Sequence, residues 1–146
     1  MLKIMKQNTY VNEKENTCSY EIITEEGIKI IGIARCAEID ADFFNQYTGL
    51  YIASLRANIK LEKIRLSFFK ELLKEINWLK NCSKKRSNNA YDNINSSYIA
   101  ITNDIKDLQE TIEMLEYELK EYIKGKNQLY DTLRKARKEN MKEGKF

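Results

Sequence analysis

The stretch YIAITNDIKDLQETIEMLEYELKEY, residues 98–122, decides the fold. Its apolar residues recur three and four apart: Tyr98, Ile101, Ile105, Leu108, Ile112, Leu115, Leu119 and Tyr122. That alternation keeps one narrow seam turned toward a facing helix, which is the signature of a coiled coil. The series continues at Leu129, Leu133 and Ala136, with Lys126 as its one break and Gly125 beside it. The spacing predicts a long helix over 98–143.

Upstream lies its partner. From about residue 48 to 80 one stripe follows Ile52, Leu55, Ile59, Leu66, Phe69, Leu73 and Ile76, interrupted by Glu62. A second follows Ala57, Leu61, Ile64, Phe68, Leu72 and Leu79. A helix of about 50 Å with two stripes has more apolar surface than one antiparallel partner covers, so the rest is expected to meet the N-terminal head or a second copy. Asp40 and Asp42 are candidate caps of a short lead-in helix through Phe43–Tyr47. Residues 81–97, rich in Asn and Ser, read as the polar turn between the two helices.

Before residue 40 the pattern changes. Residues 18–24 (CSYEIIT) and 28–36 (IKIIGIARC) are rich in β-branched residues and flank Glu25, Glu26 and Gly27. They read as a hairpin whose turn uses Gly27 at positive φ, and LKIMK at the start is a candidate edge strand. An isolated hairpin is marginal in water, so this sheet needs a helix to pack on. The expected fold is α+β and mostly α: a small antiparallel sheet in residues 1–40, then a long two-helix coiled-coil hairpin, all in one oligomeric domain.

Composition narrows the function. The chain of 146 residues carries a net charge of +3, with no histidine, no proline and three cysteines. Without histidine it lacks the usual acid–base residue near neutral pH and the commonest metal ligand. Cys18, Cys36 and Cys82 are widely spaced, which suits reduced thiols in a cytoplasmic protein rather than a disulfide framework or zinc site. No apolar run approaches the roughly 20 residues needed to span a bilayer. No P-loop, GxSxG or HExxH motif occurs, so no enzyme, cofactor or metal is expected.

Binding residues are another matter. Arg134, Lys135, Arg137 and Lys138 cluster in LYDTLRKARKENMK, residues 129–142, and Arg134 shares a helix face with both Arg137 and Lys138. Cations suit a helix C-terminus through its dipole alone, but guanidinium forks also match phosphate oxygens. Arg56 sits among apolar residues of the first helix, where a buried charge needs a partner. Three partners are open to it: solvent, a carboxylate at Glu38, Asp40 or Asp42, or an anion shared with Arg134 or Arg137. In the Asn-rich segment, Tyr91 could stack on a base and Asn93 could meet a base or ribose edge, although such segments are also ordinary turns. A nucleic-acid polymer bound by the tail and Lys84, Lys85 and Arg86 is disfavoured by the small net charge.

Residues 32–60, GIARCAEIDADFFNQYTGLYIASLRANIK, add a resemblance. An Ala-x-Cys strand end, an acidic segment with Phe, a Gly and an Ile-Ala-x-x-Arg-Ala helix, followed by a late Leu-Tyr-x-x-Leu-Arg-x-x-Arg segment, resemble the first-described type of Thoeris anti-defence sponge. These are small proteins of phages and prophages of Gram-positive bacteria. The resemblance covers residues 20–138. It implies a non-enzymatic phage protein of the host cytoplasm that sequesters a glycosyl-cyclic ADP-ribose signal made by a TIR-domain enzyme. It also implies a homo-oligomer, dimer or hexamer, with pockets shared between protomers, and cyclic oligonucleotides as further ligands in some members. On that basis Arg56, Arg134 and Arg137 would hold phosphates, Tyr91 and Asn93 the base and ribose, and Lys138 stands where a further arginine is expected. The chief competing expectation is an inhibitor that docks its coiled coil on a host nuclease or other protein, and a purely structural coiled coil also remains open.

Overall fold

The computed structural model describes residues 2–37, 40, 43–83 and 88–142. Three strands, β1 (Ile4–Asn12), β2 (Thr17–Thr24) and β3 (Lys29–Arg35), form an antiparallel sheet in the order β1-β2-β3. Two helices follow, α1 (Gln46–Ser83) and α2 (Asn88–Lys142), of 38 and 55 residues. The sheet head and long helical hairpin are those expected from the sequence. No helix is long and apolar enough to cross a membrane.

Local chemistry sets the turns. Gly27 takes φ 83°, and its N–H donates to the Thr24 carbonyl at 2.9 Å. Between β1 and β2, Asn12 Oδ1 accepts from the backbone N–H groups of Lys14 and Glu15, and Asn16 adopts φ 51°. Asparagine tolerates both roles better than most residues. The residue that caps α1 is Asn45, whose Oδ1 accepts from the N–H groups of Tyr47 at 2.8 Å and Thr48 at 3.3 Å. Asp40, a candidate cap of the expected lead-in helix, pairs with an arginine instead, Phe44 and Asn45 are not helical, and Asp42 lies outside the described residues.

The sheet rests on α1 at unusually close range. A Cβ on Gly32 would sit 2.0 Å from the Ala53 carbonyl oxygen and 2.6 Å from the Ala57 nitrogen. Around this contact Leu2, Ile22, Ile30, Ala57 and Leu61 form one core, and Ala34, Ile52 and Ala53 form a second that reaches Leu119 and Ile123 of α2. Each fully buried Leu or Ile contributes about 1.5–3 kcal/mol. The head therefore covers the second stripe of α1 as far as Ile64. Beyond it Phe68 and Leu79 are exposed.

Along α2 the structure departs from the expected boundaries. The segment expected as a turn through Ser97 is helical from Asn88 onward, and α1 continues to Ser83. Lys84, Lys85 and Arg86 lie outside the described residues. Tyr91, Ile94 and Tyr98 are half-buried and lead into buried Ile101 and Ile105, so the three–four seam begins at Tyr91. At the other end the seam shifts. Leu129 and Leu133 are exposed, as is Ala136, whereas Lys126 and Arg134 are half-buried and Tyr130 is buried. Lys126 is the point where the contact moves by one residue to meet the chain preceding α1.

Cys18 lies beneath the N-terminal turn of α1, fully buried, its thiol facing the Gln46 carbonyl oxygen at 3.7 Å. Burial raises its pKa. Because the folded value lies above the unfolded one, the associated stability is present below the ordinary thiol pKa of about 8.5 and is lost as pH rises through the folded value. Exposed Cys82 should react with a disulfide reagent at neutral pH well before Cys18. Stopped-flow thiol titration checks this, and equal rates for the two would contradict the burial.

Candidate functional site

Asp40, Phe43 and the last third of α2 build the most elaborate cluster of aromatic and charged groups. Tyr130 is buried at 7% exposure because its ring packs on Phe43, 5.7 Å between centroids, and its hydroxyl donates to the Phe43 carbonyl at 3.3 Å. Lys126 lies one helical turn earlier, with its ammonium 5.2 Å from the Tyr130 ring centroid. A further turn back, Tyr122 packs on Tyr51 of α1 with centroids 4.5 Å apart. One turn past Tyr130, Arg134 donates from Nη1 to Asp40 Oδ1 at 2.6 Å and from Nη2 to Asp131. All four α2 residues share one face because they recur every fourth residue.

Charge and burial tune these groups. Burial first, then the neighbouring Cys36 and Asp40, raise the Tyr130 pKa, so its hydroxyl is a neutral donor at physiological pH. The hydrogen bond to Asp131, supported by the nearby carboxylates, raises the pKa of Arg134 further and fixes its charge. Burial and Asp40 raise the Cys36 pKa against the opposing pull of Lys126, which leaves little thiolate. Among the described residues no group of His, Cys, Asp or Glu side chains is arranged to hold a metal ion.

Beside this cluster runs an open groove of about 530 Å³. Phe43, Tyr122, Lys126, Leu129, Tyr130 and Leu133 line most of it. Its size falls in the range of about 300–1,000 Å³ usual for small-molecule sites. Its lining is mostly apolar and aromatic, with the Lys126 ammonium as its cation and Glu121 as its carboxylate, so the place for an anionic group is at Lys126.

Arg56 stands elsewhere. Its Nη1 donates to the Ile33 carbonyl at 2.7 Å, and Lys60, one turn along, donates to the Ile31 carbonyl at 2.6 Å. The guanidinium thus caps the open edge of β3, and Asp40, one of its expected partners, is taken by Arg134. Arg56 and Leu119 line one shallow pocket, which puts Arg56 about 22 Å along α2 from Arg134, at 1.5 Å per residue. Tyr91 sits near the hairpin turn beside Lys80, about 58 Å from Tyr130 along the same helix. Asn93 is close by, its carbonyl accepting from Ser97. Arg137 and Lys138 are exposed on the α2 tail. The single chain therefore holds the six candidate residues in three separate places.

Sequence reading missed Lys126, Tyr122, Tyr130 and Phe43 as site residues. The break at Lys126 was the available signal, because a charge inside a seam marks either a fault or a site. No protein-family description, curated protein or solved structure matches the chain.

Proposed function

We propose that this chain is a non-catalytic phage anti-defence protein that binds a cyclic ADP-ribose-type nucleotide and holds it intact. By keeping that signal from its effector it blocks a TIR-dependent Thoeris response, and cyclic oligonucleotides are a second ligand class. The observation that carries this reading is the groove lined by Phe43, Tyr122, Tyr130 and Lys126, with Glu121 also on its wall. Base stacking on an aromatic face contributes about 1–3 kcal/mol, and a charged hydrogen bond to phosphate about 1.5–3 kcal/mol. Two or three such contacts in a preformed site suffice for tight binding without turnover. Arg134 and Arg137 stand next along the helix, Lys138 beyond them. Arg56, Tyr91 and Asn93 can join this groove only from another protomer, so the complete site is a property of the homo-oligomer.

Calorimetric titration with cyclic ADP-ribose isomers tests the proposal, with mass spectrometry of the ligand released on heating. Tight binding with intact ligand is expected, and Lys126→Glu and Arg137→Ala should each weaken it about 10–100-fold. No heat with any isomer would sink the reading. A second reading would then lead, because Trp78 and Leu79 are exposed together at 67% and 45% beside Lys74 and Glu75. Such a patch suits a protein partner, and the chain would be an inhibitor that docks its coiled coil on a host nuclease or other protein.

A further inference from the structure

The two edges of the sheet are treated differently. In β3 the outward carbonyls of Ile31 and Ile33 are taken by Lys60 and Arg56. Long cations laid on an edge are a known protection against strand addition. Among the described residues the opposite edge, β1, has no such cover. Nearly all of its nine residues are exposed.

Which groups β1 presents follows from the register. The Thr24 N–H donates to the Ile28 carbonyl and the Cys36 N–H to the Asn16 carbonyl, so even-numbered residues of β2 and its flanks bond toward β3. Odd-numbered residues of β2 therefore bond toward β1, where they face Lys6, Asn8, Tyr10 and Asn12. Gln7, Thr9 and Val11 are left with N–H and C=O pointing outward. Among the described residues nothing bonds to those groups. An irregularity between Ile4 and Lys6 ends the regular pairing, so the even run is Lys6–Asn12, centred on Thr9.

We propose that β1 pairs antiparallel with β1 of a second copy about a two-fold axis at Thr9, joining two heads into one continuous six-stranded sheet. A second copy is the occupant because the run is self-complementary. About that axis Gln7 faces Val11, Asn8 faces Tyr10, Lys6 faces Asn12, and Thr9 faces itself. Lys6 is the only charge in the run, so no like charges are opposed. Each outward residue meets an outward residue and exchanges both of its backbone hydrogen bonds. The axis is perpendicular to the sheet, so both α1 helices lie on one face and flank a trough floored by Gln7, Thr9 and Val11. This interface stands independently of what the α2 groove binds.

The test uses the full chain in a Cys82→Ser background, which removes the exposed native thiol. Opposed Cα atoms in a hydrogen-bonded antiparallel pair are about 5.5 Å apart, within disulfide reach of about 4.4–6.8 Å. Under mild oxidation Thr9→Cys should therefore give a near-complete covalent dimer on a non-reducing gel. Asn8→Cys and Tyr10→Cys, which are off the axis, should stay uncrosslinked. In the parent chain Thr9→Pro removes only an outward N–H, so circular dichroism should be kept while light scattering falls from a dimer mass to a monomer mass. Uncrosslinked Thr9→Cys, crosslinking at Asn8 in its place, or a folded Thr9→Pro that remains a dimer would each overturn the interface.

Discussion

Gly32→Ala should cost about 3 kcal/mol and lower Tm by roughly 10 °C. The added methyl would lie 2.0 Å from the Ala53 carbonyl oxygen and 2.6 Å from the Ala57 nitrogen. Both are backbone atoms of a regular helix, so no rotamer change relieves the clash. Either β3 lifts from α1, opening the contact around Ile30 and Ala34, or α1 shifts and disturbs its seam with α2. Gly27→Ala supplies the contrast. That Cβ meets nothing within 4 Å, and its cost arises only from φ 83°. Thermal melts of both variants check the argument. A Gly32→Ala protein as stable as the parent would show that the sheet does not seat on α1 as described.

This contact also explains what was legible in the sequence and what was not. The strands around Gly27 and the seam from Tyr98 to Leu119 were readable because local rules govern them: alternation in a half-buried strand and heptad spacing in a helix. Gly32 inside an apolar strand showed only that something comes near, not that Ala53 and Ala57 are what it meets. Helix from Asn88 to Ser97 was hidden by residues of low helix propensity. Tyr91 and Ile94 facing α1 override that propensity, since tertiary packing supplies most helical stability. The site suffered similarly. Arg134 was picked out by its chemistry, but its pairing with Asp40 joins residues 94 apart in sequence, and spacing carries no such information. Arg56 was suspicious for the right reason, a charge on an apolar helix, and its partner proved to be a backbone carbonyl.

The N-terminus hides the largest side-chain effect. LKIMK reads as the start of an edge strand, and β1 is one, yet Leu2 just before it is 1% exposed in the core with Ile22, Ile30, Ala57 and Leu61. Leu2 is held in place from both sides. Its N–H donates to Glu26 Oε1 at 3.1 Å, and its carbonyl accepts from Arg65 Nη2 at 2.7 Å. These bonds hold the residue at φ 52°, a conformation leucine rarely adopts, so the burial must outweigh the strain. Leu2→Ala should cost about 2–5 kcal/mol, whereas Leu2→Met should cost less than about 1.5 kcal/mol. Acid should weaken the same anchor. The hydrogen bond from its own backbone N–H, aided by that of Leu2, lowers the Glu26 pKa, so its contribution holds above the ordinary carboxylate pKa and fades as pH falls through the folded value. Hydrogen exchange read residue by residue separates the two effects. Leu2→Ala should speed exchange throughout the core that Leu2 fills, while lowering pH below about 4 should, after correction for intrinsic rates, loosen first the amides around Leu2 and Glu26. If Leu2→Ala left the amides of Ile22 and Ile30 as protected as before, the anchor would be local and the sheet would stand on α1 without it.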